Sequence, residues 1–314
     1  MTRENKYLSY NPWLHRLAIL TAGATFVLLL VGGIVTSTGS GLAVPDWPST
    51  FGYNMFFYPL SKMVGGVLYE HSHRLMGSIV GLLTIALVIG IWVKEPRKWM
   101  RWLSMLALVG VIAQGVLGGL RVVLLQTVLA IIHACLAQAF LALTVSFVLF
   151  TSREWQGQLQ QTQTSDAARL QRLGILTTGL IYLQLIFGAV LRHTGARLDA
   201  HLLFAVLVTI HVFMIARRVL RDHSHLPRLT RLTAILGGLL LLQLMLGIGA
   251  YLSKFTAFEN TMPAITRVVI TTAHVGIGAL MLVTSLALTL RAYRWLASPA
   301  SLNNQEFIPG EISA

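Results

Sequence analysis

Eight stretches of this chain are too long and too apolar to form the surface of anything folded in water. They run over approximately 17–36, 67–93, 102–120, 127–150, 173–191, 199–219, 232–252 and 267–290. A bilayer core about 30 Å thick is crossed by roughly 20 helical residues, and inside it every backbone N–H and C=O needs a partner within its own segment. The fold class that follows is all-α: a polytopic membrane protein with eight transmembrane helices. Composition excludes the soluble alternatives. AVILMFWYC residues make up 55% of the 314 residues and charged residues only 11%, against roughly 25% charged in a soluble domain.

The net charge of +13 sits in the segments that flank the spans. Such placement argues for membrane orientation and against nucleic acid. Arg3, Lys6 and Arg16 precede the first span. Lys94, Arg97, Lys98 and Arg101 lie between spans 2 and 3, and Arg153, Arg169 and Arg172 between spans 4 and 5. Arg217, Arg218, Arg221, Arg228 and Arg231 lie between spans 6 and 7, and Arg291 and Arg294 follow the last. Seventeen of the 24 Lys and Arg thus share the side of the termini. The positive-inside rule places both termini in the cytoplasm of a cell inner (plasma) membrane. The first span is too long for a typical signal-peptide core and reads as a retained helix. The single cysteine, Cys135, lies in an apolar run and reads as a small buried packing residue.

The chain repeats itself. Gly32-Gly33-Ile34-Val35-Thr36-Ser37-Thr38-Gly39 closes span 1, and Gly188-Ala189-Val190-Leu191-Arg192-His193-Thr194-Gly195 closes span 5, at a constant offset. Gln-x-x-x-Gly occurs in span 3 (Gln114, Gly118) and again in span 7 (Gln243, Gly247). Four spans followed by four related spans predict two tandem four-helix bundles in the same orientation. The divisions are an N-tail at 1–16, a first half at 17–150, a linker at 151–172 with its Gln-rich stretch 156–163, a second half at 173–290, and a C-tail at 291–314. The first half alone has a long outer loop of about thirty residues. Its Trp47, Phe51, Tyr53, Phe56, Phe57 and Tyr58 suit an interfacial lid.

Ten histidines occur. His15, His223 and His225 lie in cytoplasmic flanks and are expected to be solvated; His193 is expected at the outer interface. His71, His73, His133, His201, His211 and His274 fall in or beside apolar helices, where polar groups are costly and usually mark function. His73, His133, His201 and His274 share a depth in the outer leaflet, on the second and fourth helix of each half. Paired imidazoles on facing helices can hold one haem iron from both sides. The pairs are His73 with His133 and His201 with His274. Set against this stands the plainer reading that each imidazole only packs and hydrogen-bonds a neighbouring helix. His211 is the rival to His201. His201 is preferred because His-x-x-x-small describes both His73 with Gly77 and His201 with Ala205. Zinc is the poorer candidate, because cysteines are lacking and carboxylates few.

Glu70 is the one acidic residue well inside a span. It shares a helix face with His73 and lies four residues before Arg74. Two roles stay open: a proton-handling carboxyl beside a haem edge, or an ordinary ion pair with Arg74, unless Arg74 faces a haem propionate and frees it.

Thr38-Gly39-Ser40-Gly41-Leu42-Ala43-Val44-Pro45-Asp46-Trp47-Pro48, followed by Glu70-x-x-His73-Arg74, resembles the haem A synthase family. His133-Ala134-x-x-Ala137-Gln138 resembles that family's fourth helix and His274 its eighth. The likeness covers roughly 15–295, more loosely in the second half. It implies oxidation of the C8 methyl of haem O to the formyl of haem A for cytochrome oxidase, by way of two successive oxidations and a gem-diol that loses water. It further implies a haem b held by His201 and His274, substrate haem held by His73 and His133, and Glu70 as the essential catalytic carboxylate. The implied partners are haem O, haem A, haem O synthase, cytochrome oxidase assembly factors, an electron donor, membrane lipid and no nucleic acid, with homo-oligomerisation open. The cysteine pair that some members carry in an outer loop is missing. The alternative is a non-enzymatic diheme b-type membrane cytochrome, which gives Glu70 and the long first loop no task. A repeat-built transporter ranks last, because no proline interrupts a span.

Overall fold

The computed structural model describes residues 10–157 and 161–298. Among them are eight helices long and apolar enough to cross a membrane: α1 Pro12–Ser37, α2 Gly66–Lys94, α3 Lys98–Val123, α4 Thr127–Thr151, α5 Ala167–Thr194, α6 Leu198–Asp222, α7 Pro227–Phe255 and α8 Ala264–Trp295. The chain is a multi-pass, all-α membrane protein.

Most helices outrun the predicted spans. At a rise of about 1.5 Å per residue, the 29 residues of α2 and the 32 of α8 extend beyond the hydrocarbon into the headgroups. Hydropathy registers only the hydrocarbon, whereas a helix continues until its backbone is capped. Asn11 starts α1 by accepting the Leu14 N–H at 3.1 Å, with Pro12 at the first helical position. Gly195, at φ +72°, ends α5 in the left-handed region. The turn into α6 is therefore three residues long, matching the nearly deleted outer loop.

Helices α1 to α4 pack in a ring: α1 against α2 and α4, and α3 against both of these. Helices α5 to α8 do the same, with α5 and α7 each against α6 and α8. Each set has its own buried cluster, Leu14, Val80, Leu87, Met100 and Phe147 in one, and Leu170, Ile215, Leu236 and Leu288 in the other. The sets meet where α1 and α4 touch α8 and α4 touches α5. Small residues allow this approach: a Cβ on Gly276 of α8 would come within 2.6 Å of Leu30 on α1. The outward faces expose Leu82, Trp102, Val109, Phe213 and Met245, as lipid-facing surfaces do. Several buried hydroxyls bond within their own helix, as Thr25 does to the Thr21 carbonyl at 2.7 Å, and Ser285 instead meets Thr178 of α5 at 2.8 Å.

The linker is tied at both ends. A single turn, Arg153–Gln156, follows α4, and strand β1 (Thr162–Gln163) pairs in parallel with strand β2 (Leu296–Ala297) after α8. Part of the Gln-rich stretch and most of the C-tail lie outside the described residues. The expectation of solvated flanking histidines fails twice. His223 is only 2% exposed and meets Asp166 at 3.3 Å, while Arg218 also pairs with Asp166. His15 is half-buried, with Nδ1 3.0 Å from the Thr151 hydroxyl. Composition of a flank does not reveal which neighbour covers it. His225 is exposed, as expected. Cys135 is half-buried rather than buried, and its carbonyl accepts from Tyr182 at 3.2 Å.

Candidate functional site

The outer loop between α1 and α2 is fastened to α2 by three polar residues of one helical turn, Glu70, His71 and Arg74. Arg74 donates to the carbonyls of Asp46 (2.7 Å), Val44 (3.0 Å) and Ser49 (3.1 Å), and to Glu70 Oε1 at 2.8 Å. Glu70, 3% exposed, accepts the Val44 N–H on its other oxygen at 3.0 Å. His71, 1% exposed, places Nδ1 3.2 Å from the Thr50 hydroxyl and packs its ring on Tyr58. The Glu70–Arg74 ion pair is therefore formed, and Arg74 serves the loop backbone. The alternative in which Arg74 turns to a propionate and frees Glu70 is not the arrangement seen. Its physical reason is that three loop carbonyls converge on one fork-shaped donor.

The loop in turn presents Trp47 to α3. A side chain on Gly119 would overlap the Trp47 ring, so glycine is what admits the lid's indole there. Phe51, Tyr53, Phe56 and Phe57 point outward and are exposed, and Tyr58 is buried. Asp46 holds the loop's turn: its carboxylate accepts from Phe51 N–H (2.7 Å), Gly52 N–H (2.9 Å) and the Ser49 hydroxyl (2.6 Å). Partial burial raises its pKa, but the donors at Gly52, Ser49 and Phe51 outweigh this and bring it down to about 2. A carboxyl held below its unfolded pKa contributes stability above that value, and the contribution is lost as pH falls through the folded one. The loop of the purified protein is expected to resist pepsin at pH 4 and to open between pH 4 and 2. Asp46→Asn should remove that pH dependence; an unchanged profile would exclude this carboxylate as the cause.

Below the loop, the four predicted histidines meet in two pairs. The His73 and His133 ring centres are 6.5 Å apart with planes at 85°, and those of His201 and His274 are 6.3 Å apart at 68°. Two imidazoles sharing one metal through Nε2 stand roughly 6 Å apart between ring centres, because each metal–nitrogen bond is about 2 Å. His211 is not brought to His274. It faces its own helix, with Nδ1 2.8 Å from the Leu207 carbonyl.

Each paired histidine lies against a glycine of the preceding helix. A Cβ on Gly32, Gly118, Gly188 or Gly247 would stand 3.0–3.3 Å from Cε1 of His73, His133, His201 or His274 respectively. The Nδ1 atoms of all four are buried and close no hydrogen bond. Orphaned ring nitrogens in a cradle where an added methyl group would press on the ring fit imidazoles that ligate through one nitrogen and await a partner at the other. Among the described residues no cluster of three or more His, Cys, Asp or Glu could hold a bare ion. A porphyrin, which brings its own equatorial nitrogens and needs only two axial donors, suits what is present.

Two features were not legible beforehand. Gln-x-x-x-Gly also occurs as Gln184 and Gly188, so three of the four cradles share it, and that third copy is the signal the sequence carries. Arg192 joins the two halves. From α5 it donates to Gly33 O (2.8 Å) and Ser37 Oγ (2.6 Å) on α1, and to Thr271 O (3.3 Å) on α8. His193, beside it, is half-buried at the outer end of α5, where it was expected.

A family model described as COX15-CtaA, cytochrome oxidase assembly protein, matches residues 15–201. Curated relatives share a name. The chain is 32% identical over 190 residues to a heme A synthase of Shouchella clausii, covering 59% of this chain and 61% of the relative. It is 32% identical over 190 residues to one of Exiguobacterium sibiricum, covering 58% and 61%. It is 27% identical over 186 residues to one of Alkalihalophilus pseudofirmus, covering 58% and 60%. The alignments thus span about three-fifths of these relatives' length.

Proposed function

This chain belongs to the COX15-CtaA family of cytochrome oxidase assembly proteins, and on that premise we propose that it is a membrane haem A synthase, oxidising the C8 methyl of haem O to the formyl of haem A for cytochrome oxidase. One observation carries the reading: two imidazole pairs, each at the spacing of bis-axial ligation, in a chain whose relatives bear that enzyme's name.

In this reading His73 and His133 bind the substrate haem under the lid, and His201 and His274 hold a resident haem b. Haem b, when bound, supplies one-electron redox chemistry, which a methyl-to-formyl oxidation needs several times over. The protein's own work is to orient and to shield. The glycine cradles set the ring positions, the Trp47-bearing lid covers the outer side, and Glu70 is held beside His73 by Arg74 and the Val44 amide. Glu70 is assigned the protons released as the methyl is oxidised. Haem O synthase as supplier and assembly factors as recipients are the partners this activity requires; because the methyl loses electrons and gains an oxygen atom, it further requires an oxidant and an oxygen source alongside the electron donor. The membrane is the cell inner membrane with both termini cytoplasmic, as the placement of Lys and Arg supports.

The Glu70–Arg74 pair is the one observation that favours the non-enzymatic diheme cytochrome, because it gives Glu70 a structural task. Chromatography of extracted haems separates the two. Expression in cells that make haem O but lack a haem A synthase of their own should yield haem A; unmodified haem b alone, with haem O accumulating, would leave the cytochrome.

A further inference from the structure

Two cations stand near the His73–His133 pair, and only one of them is spent. Arg74 divides its donors among three loop carbonyls and Glu70. Arg121, half-buried near the outer end of α3, donates through Nη2 to the Gly41 carbonyl at 2.7 Å and forms no ion pair among the described residues. A guanidinium carries more N–H groups than that one bond uses. An arginine this close to a helix end commonly snorkels to the lipid headgroups. Arg121 turns to the lid instead, and a Cβ on Gly41 would overlap its guanidinium. It follows Gly118 by three residues, on the helix face that cradles His133 and one turn nearer the outside. Its charge is close enough to act on His73, His133 and Glu70.

The repeated plan does not call for a cation at this place. The residue three after the cradle glycine is Val35 in α1, Leu191 in α5 and Ala250 in α7. An arginine where the other three helices carry an apolar side chain is costly unless an anion meets it. Glu70 is not that anion, because Arg74 already pairs with it. Gly41, against which Arg121 rests, is three residues from Val44, whose N–H meets Glu70. One short stretch of the lid thus has a guanidinium with donors to spare at one end and a carboxylate at the other.

We propose that Arg121 is a specificity-determining residue whose spare N–H groups receive a propionate carboxylate of the porphyrin at His73 and His133, and so fix which edge of the ring lies toward Glu70. The inference rests on the reading of that pair as haem ligands and adds an orientation. Two axial imidazoles cannot impose one, because a ring held only along its axis is free to turn about it. A planar, forked donor matches a carboxylate, which a point charge does less well. The C8 methyl shares its pyrrole with a propionate on the neighbouring carbon. A grip on that propionate keeps this methyl at the Glu70 end of the lid.

The test compares a charged porphyrin with an uncharged one. The full chain carrying His274→Ala, which leaves one complete imidazole pair, is titrated in detergent with iron protoporphyrin IX and separately with its dimethyl ester, and binding is read in the visible spectrum. The acid should bind about tenfold more tightly than the ester, the scale of one charge-assisted hydrogen bond. Adding Arg121→Gln keeps an N–H for Gly41 and removes the charge. It should weaken the acid and leave the ester as it was, and the unaltered ester affinity shows that the fold survives. Gly41→Ala, whose Cβ would displace the guanidinium, should narrow the difference by a second route. In cells that make haem O, Arg121→Gln should also lower the ratio of haem A to haem O, and an unchanged ratio would overturn the orienting role. A preference for the acid that survives both substitutions would overturn this proposal alone. So would equal binding of acid and ester before them, the result expected if a lipid phosphate occupies Arg121. A chain that takes up neither porphyrin would overturn it together with the proposed function.

Discussion

Glu70→Gln is expected to cut formation of the formylated haem by at least about a hundredfold, the lower range of what a positioned acid–base group contributes, while haem stays bound. The choice of glutamine matters. Glu70 accepts from Arg74 on one oxygen and from the Val44 N–H on the other. Alanine would remove both contacts, loosen the lid and confound a chemical role with a structural one. Glutamine keeps an acceptor for one of the two donors and nearly the same volume, but has no proton to exchange. Glu70→Asp, which retains the carboxyl on a shorter stem, should recover part of the activity. The readouts are the ratio of haem A to haem O in extracts and the visible spectrum of the purified protein. Full product formation by the glutamine variant would reduce Glu70 to the lid fastener that its hydrogen bonds already describe.

The second large effect concerns the ligand in α6. His201→Ala or His274→Ala should abolish the low-spin, bis-imidazole spectrum of the haem proposed for that pair, and His211→Ala should leave it intact. The rings of His201 and His274 are 6.3 Å apart, and His211 is instead engaged with the carbonyl one turn before it in its own helix. The spectra are to be recorded on variants that elute with wild type in size-exclusion chromatography, which separates ligand loss from unfolding. A low-spin signal lost in His211→Ala and kept in His201→Ala would reverse the assignment.

The two predictions draw on the sequence to different degrees. Helix number and side preference for Arg and Lys were readable because hydropathy and charge act residue by residue against a planar solvent boundary. So were the four histidines, because duplication placed them on corresponding helices at similar depth. The neighbours of each side chain were not. Spacing alone left Glu70 between two roles, and three loop carbonyls arriving at Arg74 from 25 to 30 residues away closed its pair with that arginine. His223 looked solvated in a polar flank, yet Asp166, the residue just before α5, meets it there. Gly118 and Gly247 stood out as a repeated motif, and their purpose became visible only once His133 and His274 were seen lying on them.

The amino-acid pattern was thus enough to establish a membrane solvent and eight apolar helices, and to single out the imidazoles that the structure brings into pairs, since each of these depends on local polarity. Choosing His201 over His211 as the ring facing His274, committing Glu70 to Arg74, and bridging the halves through Arg192 fell to packing. The rotation of each helix about its axis decides which side chains face one another. That rotation minimises a sum of contacts among all eight helices, which no single segment encodes.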